Sequence, residues 1–520
     1  MKFTEWGSKR QKSWYRQMRR KERKEYQDRN NIGWDLNALF PTAWWSFQPD
    51  HLYADVDKTV PATIGGGIAS FDDLSGNGVT GPQPVSTARP ILGRVPRTGR
   101  RNAILGTESP ETWNQSGTGA CSVGEKDPEG FSLLTITEAG ISSVISPHTQ
   151  YPMGQANANT GEITLIRSYE VRAIGNTRYL RIGNVAGSVV FDLQAGTVVY
   201  QGAQVFYVDI LPLQNGAYRV ETRVTTTDTS NSGLLQHFNW SPNWVSGTYL
   251  SDEDQVGSEL YVRNPVYWIE NSLNYSDPVP YQRVTTAYDV TEAGVPSVYY
   301  ARYDSADDVL PHNATLPAIT DGTVILIGRN GIWIDEGYSF AGGNWSFGPT
   351  TYANGPDGII GVAGDMLDLV VLDRPLTADE RDRVVAYGVK RGSAGLITIG
   401  PEEKQNYLFP GAPGMAEYIS GGDYFRIERS GSSIGMVSYE IEPTPALYLA
   451  QYEWLSGAGL GVRNNASVMS GYEVDTVDPL RNVVLSIAPG PLRFYHGGTP
   501  TESTLRVITL RRLILPGETP

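Results

Sequence analysis

Carboxylates gather at three places in the chain: Asp72-Asp73, Asp252-Glu253-Asp254, and the trio Asp304, Asp307 and Asp308. Paired carboxylates are the working groups of glycoside hydrolysis, one protonating the leaving oxygen while the other serves as base or nucleophile at a defined separation. Each cluster here falls in a turn-like stretch, and spacing identifies no partner for any of them. Solvated surface is the ordinary fate of such clusters. Calcium is the alternative, although the spacing does not match an EF-hand loop. Nucleophile chemistry finds less to rest on. Cys121 lies among Gly, Ser and Ala with no histidine beside it, which reads as a structural thiol. There is no His-Glu-x-x-His pattern and no phosphate loop ending in Gly-Lys-Ser/Thr. The five histidines, His51, His148, His237, His312 and His496, are scattered and form no zinc array. No catalytic residue and no resident cofactor are expected.

Sugar binding makes different demands: exposed aromatic faces for pyranose rings, with amides and carboxylates for the hydroxyls. Two polar, turn-rich stretches offer them. In HFNWSPNWVSGTYLSDED the candidates are Trp240, Trp244 and Tyr249, with Asn239, Asn243 and Asp252 beside them. Trp333, Trp345 and Tyr352 form a second set around YSFAGGNWSFGPTTY. The competing reading is that these tryptophans plug sandwich cores or protein interfaces.

The elements that must carry these residues are short strands. At 520 residues the chain exceeds one core and implies several domains. Charged residues are only 19% of the chain, against 57 Gly and 33 Pro, a balance that favours strands joined by tight turns over long helices. Segments such as YLRIGN, SVVFDL, TVVYQG and ELYVRNPVYWI alternate roughly in polarity and end at Gly, Asn or Pro. Strands spaced in this way suit β-sandwiches. One internal helix stands out: Thr377 and Glu380 form a capping-box pattern ahead of RDRVVAYGVKR, and Gly392 supplies the stop. A single cysteine excludes an intramolecular disulfide framework and points to folding in a reducing cytosol. Neither a signal peptide nor a membrane-spanning run is read in the sequence.

Charge divides the chain. Residues 1–30 hold eleven Lys/Arg against four Asp/Glu, a net +7 on a chain of −14, so the remaining residues carry −21. Residues 8–29 lack Gly and Pro and read as a solvated helix, with Trp14 and Met18 on one narrow apolar stripe. The bland reading is a frayed tail. The sharper one is an anchor that docks through Trp14, Met18, Arg16, Arg19, Arg20 and Arg23. Nucleic-acid binding ranks last, because the acidic body opposes it.

Two stretches resemble domains of bacteriophage tail-fibre and related virion proteins. ASFDDLSGNG (69–78) and LDLVVLDRPLTADERDRVVAYGVKR (367–391) resemble a concanavalin-A/laminin-G-like sandwich, whose last strand leads into a Leu-x-Arg-x-Leu-Thr-x-x-Glu helix. VTEAGVPSVYYARYDSADDVL (290–310) is similar to a strand of the same domain, but the glycine of its Phe-Asp-Gly-x-Asp-Asp pattern is absent at Tyr303-Asp304-Ser305. FDLQAGTVV (191–199), NGAYRVETRV (215–224) and LYVRNPVYWIEN (260–271) resemble an inserted carbohydrate-binding-module-like domain. The resemblance implies a mainly β, multi-domain chain. A basic helical anchor spans 1–40, a discontinuous laminin-G-like sandwich 41–105 plus 287–400, an inserted carbohydrate-binding-like sandwich 106–286, and a C-terminal β domain 401–520. It further implies a virion protein, assembled in the bacterial cytoplasm as a homo-oligomer, commonly a trimer. Its partners would be other virion proteins and host surface polysaccharide, with no membrane insertion. A tail fibre, spike or baseplate-associated receptor binder is the leading expectation. A head fibre or capsid decoration, a structural baseplate part and a polysaccharide depolymerase are the alternatives.

Overall fold

The computed structural model describes residues 36–97 and, between 102 and 516, all but 103, 117–120, 138–143, 147–162, 176, 184–186, 227–237, 242–256, 271–279, 305–306, 349–363, 403–406, 409–415, 420–423, 431–432, 435, 440–445, 458–459, 465–466, 469–479, 488–491 and 497–501. The chain is mainly β, built as multi-domain sandwiches with one α-helix among the described residues. It divides into two compact units. One comprises Met1–Leu92, Tyr299–Glu442 and Ala446–Pro520; the other comprises Gly93–Val298 with Pro443–Pro445.

In the first unit, the strand Met366–Leu372 (MLDLVVL) is buried at every position. A continuous apolar run suits a strand covered on both faces. It pairs antiparallel with Ile319–Gly328 on one side and Ala43–Ser46 on the other. Leu369 and Val371 face an aromatic core with Trp45, Phe71, Trp345 and Phe347. Trp45 stacks on Trp345 at 5.8 Å between centroids, and Trp345 stacks on Phe347 at 6.2 Å. Two short ribbons, Leu52–Tyr53 with Ser70–Phe71 and Ala314–Leu316 with Gly343–Trp345, contribute Leu52, Phe71, Leu316 and Trp345 to that core.

The helix Ala378–Arg391 begins as its sequence indicates. The Thr377 hydroxyl accepts from the Glu380 amide, the Glu380 carboxylate accepts from the Thr377 amide, and Gly392 ends the helix in the left-handed region at φ 111°. Arg391 reaches the sheet and holds the fully buried Asp368 at 3.0 Å. The C-terminal residues of this unit form a seven-stranded and a five-stranded sheet. Tyr452 and Phe494 meet edge to face between these sheets at 4.9 Å.

The second unit is a sandwich of two six-stranded sheets. Its central strand, Ile163–Ile174, pairs antiparallel with Tyr218–Thr226 and with Glu259–Glu270. Leu165, Tyr169 and Val171 point inward onto Leu180, Ile182, Val189 and Phe191. On the other face Thr164, Ile166 and Ser168 are buried, whereas Glu170 and Arg172 are half-buried, with Arg172 over the ring of its cross-strand neighbour Tyr261, 4.6 Å away.

Candidate functional site

Within the second unit, the strand Glu259–Glu270 carries an irregularity that its sequence encodes. Proline cannot donate to a sheet ladder, and asparagine tolerates the left-handed region. At Asn264-Pro265 the register slips between Arg263 and Val266, and Asn264 takes φ 51°. A bulge of this kind exchanges the two faces of a strand. Val262 points inward before it and Tyr267 after it. Buried Asn102 locks the distortion: its amide donates to the Pro265 carbonyl at 2.7 Å and accepts from the Tyr267 amide at 3.0 Å.

Beside this bulge lies a cleft of ≈ 200 Å³. Thr107, Glu108, Trp113, Lys126, Glu129, Ser132, Arg263, Asn264 and Tyr281 are among the residues that line it. One wall is the turn Asp127–Phe131. Asp127 accepts from the amides of Glu129 and Phe131, both at 2.9 Å, and Gly130 supplies the φ of +83° that the turn requires. Burial works to raise the Asp127 carboxyl, but the Phe131 amide and the Arg172 guanidinium outweigh it and hold it below its ordinary value. The Phe131 ring lies against two guanidinium groups, Arg172 at 5.0 Å and Arg263 at 4.1 Å. Glu129 is thereby fixed at the lip, one oxygen on Arg172 at 3.0 Å and the other accepting from Asn215.

Two aromatic side chains also line the cleft, the half-buried Tyr281 and Trp113, which is 4% exposed and belongs to the core of this unit. The Trp113 indole donates to the Gly106 carbonyl at 3.0 Å, and the Tyr281 hydroxyl donates to Thr107 Oγ1 at 3.0 Å. Burial pushes the Tyr281 hydroxyl up to about 12, so it stays a neutral donor across the ordinary pH range. The arrangement is a small recess lined by one half-buried tyrosine, an amide, an amine and two carboxylates. It offers both donors and acceptors to a polyol. Pockets for drug-sized ligands begin near ~300 Å³, so this one takes a group about the size of one sugar ring.

Residues singled out from the sequence are placed elsewhere. Trp333 and Trp345 are only 3% and 2% exposed and belong to the core of the first unit, so the expectation that they form a sugar-stacking surface is corrected. Trp345 is held by stacking on Trp45 and by donating to the Tyr338 hydroxyl at 2.7 Å. Trp240 lies on the strand Phe238–Ser241, opposite Leu180. Trp244, Tyr249, Tyr352, the cluster 252–254 and the N-terminal residues Trp14, Arg16, Met18, Arg19, Arg20 and Arg23 lie outside the described residues.

Asp73 caps its own turn, accepting from the amides of Trp44, Ser75 and Val79. The carboxylate oxygens of Asp304, Asp307 and Asp308 come within 4.8 Å of one another. Asp304 and Asp308 fold back on the backbone of the same turn. The spacing Gly431-Ser432-Ser433-Ile434-Gly435 is that of a nucleophile elbow. Ser433, however, lies in a strand hairpinned onto Tyr424–Ser430, and the next element is another strand rather than the helix an elbow requires.

The cleft residues were missed because they come from four separated stretches. The Asn-Pro step inside an otherwise regular strand was the one signal that could have drawn attention there.

No family model and no curated protein matches the chain. Among solved structures it is similar to the N-terminal CBM22-1-CBM22-2 tandem domain of Xyn10C from Paenibacillus barcinonensis, at 8% sequence identity, covering 77% of this chain and 94% of that one with a TM-score of 0.15. A TM-score that low carries no argument about fold or function.

Proposed function

We propose that this chain binds glycan through the cleft of its second unit, and that it does so as a host-attachment component of a bacteriophage particle. The observation that carries the sugar reading is the cleft itself. A bulge locked by Asn102 places Asn264 in the lining of a recess that Tyr281, Glu108, Lys126 and Glu129 also line. A tyrosine ring with convergent donors and acceptors, at the volume of one sugar ring, suits sugar recognition. Support for the particle comes from the sequence resemblance at 69–78, 191–199, 260–271 and 367–391, which favours a fibre, spike or baseplate-associated receptor binder. Both oxygens of Glu129 are engaged by Arg172 and Asn215. Among the described lining residues the one further carboxylate available to Glu108 is already tied to the protein, which favours holding sugar over cleaving it.

The test uses the full chain against host cells and their extracted surface polysaccharide, with released sugar assayed in the same samples. Binding without release is expected. Asn264→Gly keeps the backbone conformation and removes the amide, and Glu108→Gln removes a charge at an exposed position. Each is expected to weaken binding about tenfold, roughly 1.4 kcal/mol. Binding unaffected by both variants sinks the assignment of this cleft. Sugar release would move the chain to the depolymerase reading, and no binding at all would favour a structural particle component.

A further inference from the structure

The interior of the second unit contains a cation where a sandwich core is normally apolar. Arg167 sits at the middle of the central strand Ile163–Ile174, with the same inward parity as Leu165 and Tyr169, and is 2% exposed. Its described hydrogen bond runs from Nη1 to the Gly187 carbonyl at 3.2 Å, and its Nε has no partner. Among the described residues no carboxylate is paired with it. Cross-strand register puts Thr222 directly beside it on one side and Tyr267 on the other. The hydroxyls of both are buried and have no partner among the described residues.

The opposing sheet makes room for the guanidinium on purpose. A Cβ at Gly183 would collide with Arg167 Nη1 and with the Gly187 carbonyl, and Gly183 takes φ +96°. Buried lysines and carboxylates can escape such a position by gaining or losing a proton. A guanidinium keeps its proton in proteins, so its charge must be answered by another charge. A water molecule could satisfy one or two of these donors but would leave the positive charge uncompensated. What Arg167 Nε, Thr222 Oγ1 and Tyr267 Oη share is a proton to donate, and together they match a small acceptor that carries negative charge.

We propose that the second unit encloses a small anion, a halide or a simple carboxylate, held by Arg167 between Thr222 and Tyr267. The site is separate from the glycan cleft, and its occupant is buried within the folded core. It also gives a reason for the inward position of Tyr267, which the bulge at Asn264 creates.

Calorimetric melting of the full chain tests this at constant ionic strength, with chloride or formate replacing the bulky sulfonate of a HEPES buffer. The melting temperature is expected to rise with the small anion and to level off at saturation, and the better of the two identifies the occupant's class. Arg167→Met, which keeps the volume and removes the charge, is expected to abolish that dependence. A wild-type protein indifferent to both anions overturns the proposal and assigns the compensating charge to a carboxylate of the chain itself. A dependence retained in Arg167→Met overturns it equally. Should that variant not fold, wild-type crystals grown in bromide and in formate decide: an anomalous peak or carboxylate density beside Arg167 is expected, and the absence of both rejects the site.

Discussion

Asp308 shows how a single side chain makes the stability of this protein depend on pH. Burial, with Asp304 and Asp307 adding to it, pushes its carboxyl up to about 6, against about 3.9 in an unfolded chain. The folded state therefore binds the proton more tightly between these values, and the first unit loses stability as pH rises from about 4 through 6. Asp308→Asn can still accept from the Asp304 amide. It is expected to flatten that slope and to stabilise the protein at pH 7 by at most about 3 kcal/mol, read from denaturant titrations across pH. Asp368 is also raised above its ordinary value by burial, but unlike Asp308 it has a cationic partner. It is fully buried but held by Arg391 at 3.0 Å and by the Trp44 indole at 3.2 Å. Arg391→Met strands that carboxylate and is expected to cost about 3–5 kcal/mol, whereas exposed pairs such as Arg383–Asp379 are worth little.

The helix Ala378–Arg391 joins two kinds of determinant. Its start is local: Glu380 is drawn down to about 2 by Arg374, with help from Thr377, despite partial burial. That contribution is present above about pH 4.5 and is lost as pH falls toward 2, so Glu380→Gln is expected to remove an acid-side slope in thermal melts. Its docking is tertiary. A Cβ at Gly388 would lie 2.5 Å from Ile332 Cδ1 and 3.2 Å from Ile327 Cγ2, so the helix approaches the sheet as closely as glycine allows. Gly388→Val is expected to destabilise the first unit by about 1–3 kcal/mol through overpacking, measured by chemical denaturation. Strands divide in the same way. MLDLVVL could be read as buried from composition, because an unbroken apolar run has no solvent face to offer. ELYVRNPVYWIE could not be assigned a face along its whole length, because the bulge at Asn264 reverses its alternation halfway.

For the whole chain, the basic segment 1–30 and the acidic remainder set up a test of the particle assignment. A variant lacking those residues is expected to keep its glycan binding and to lose incorporation into particles, measured by complementation and purification of virions. Normal incorporation would remove the anchor from the account.

Much of the architecture was legible in the residues. Glycine and proline frequency, alternation and the absence of long helical periodicity specify many short strands. The Thr377/Glu380 pair specifies where the helix begins, because capping is a matter of neighbours three positions apart. The candidate functional residues were not legible in this way. An indole looks the same in a sequence whether it stacks on a sugar or on another indole, and Trp345 found Trp45, 300 positions away, only through the pairing of distant strands. The cleft unites Glu108, Lys126, Asn264 and Tyr281 through one bulge and one buried asparagine. Arg167 becomes a buried cation only because the opposing sheet closes over it. Local pattern decided which elements form, since caps, turns and strand faces depend on near neighbours. Tertiary packing decided which side chains meet, since burial and long-range register are set by the folded chain as a whole.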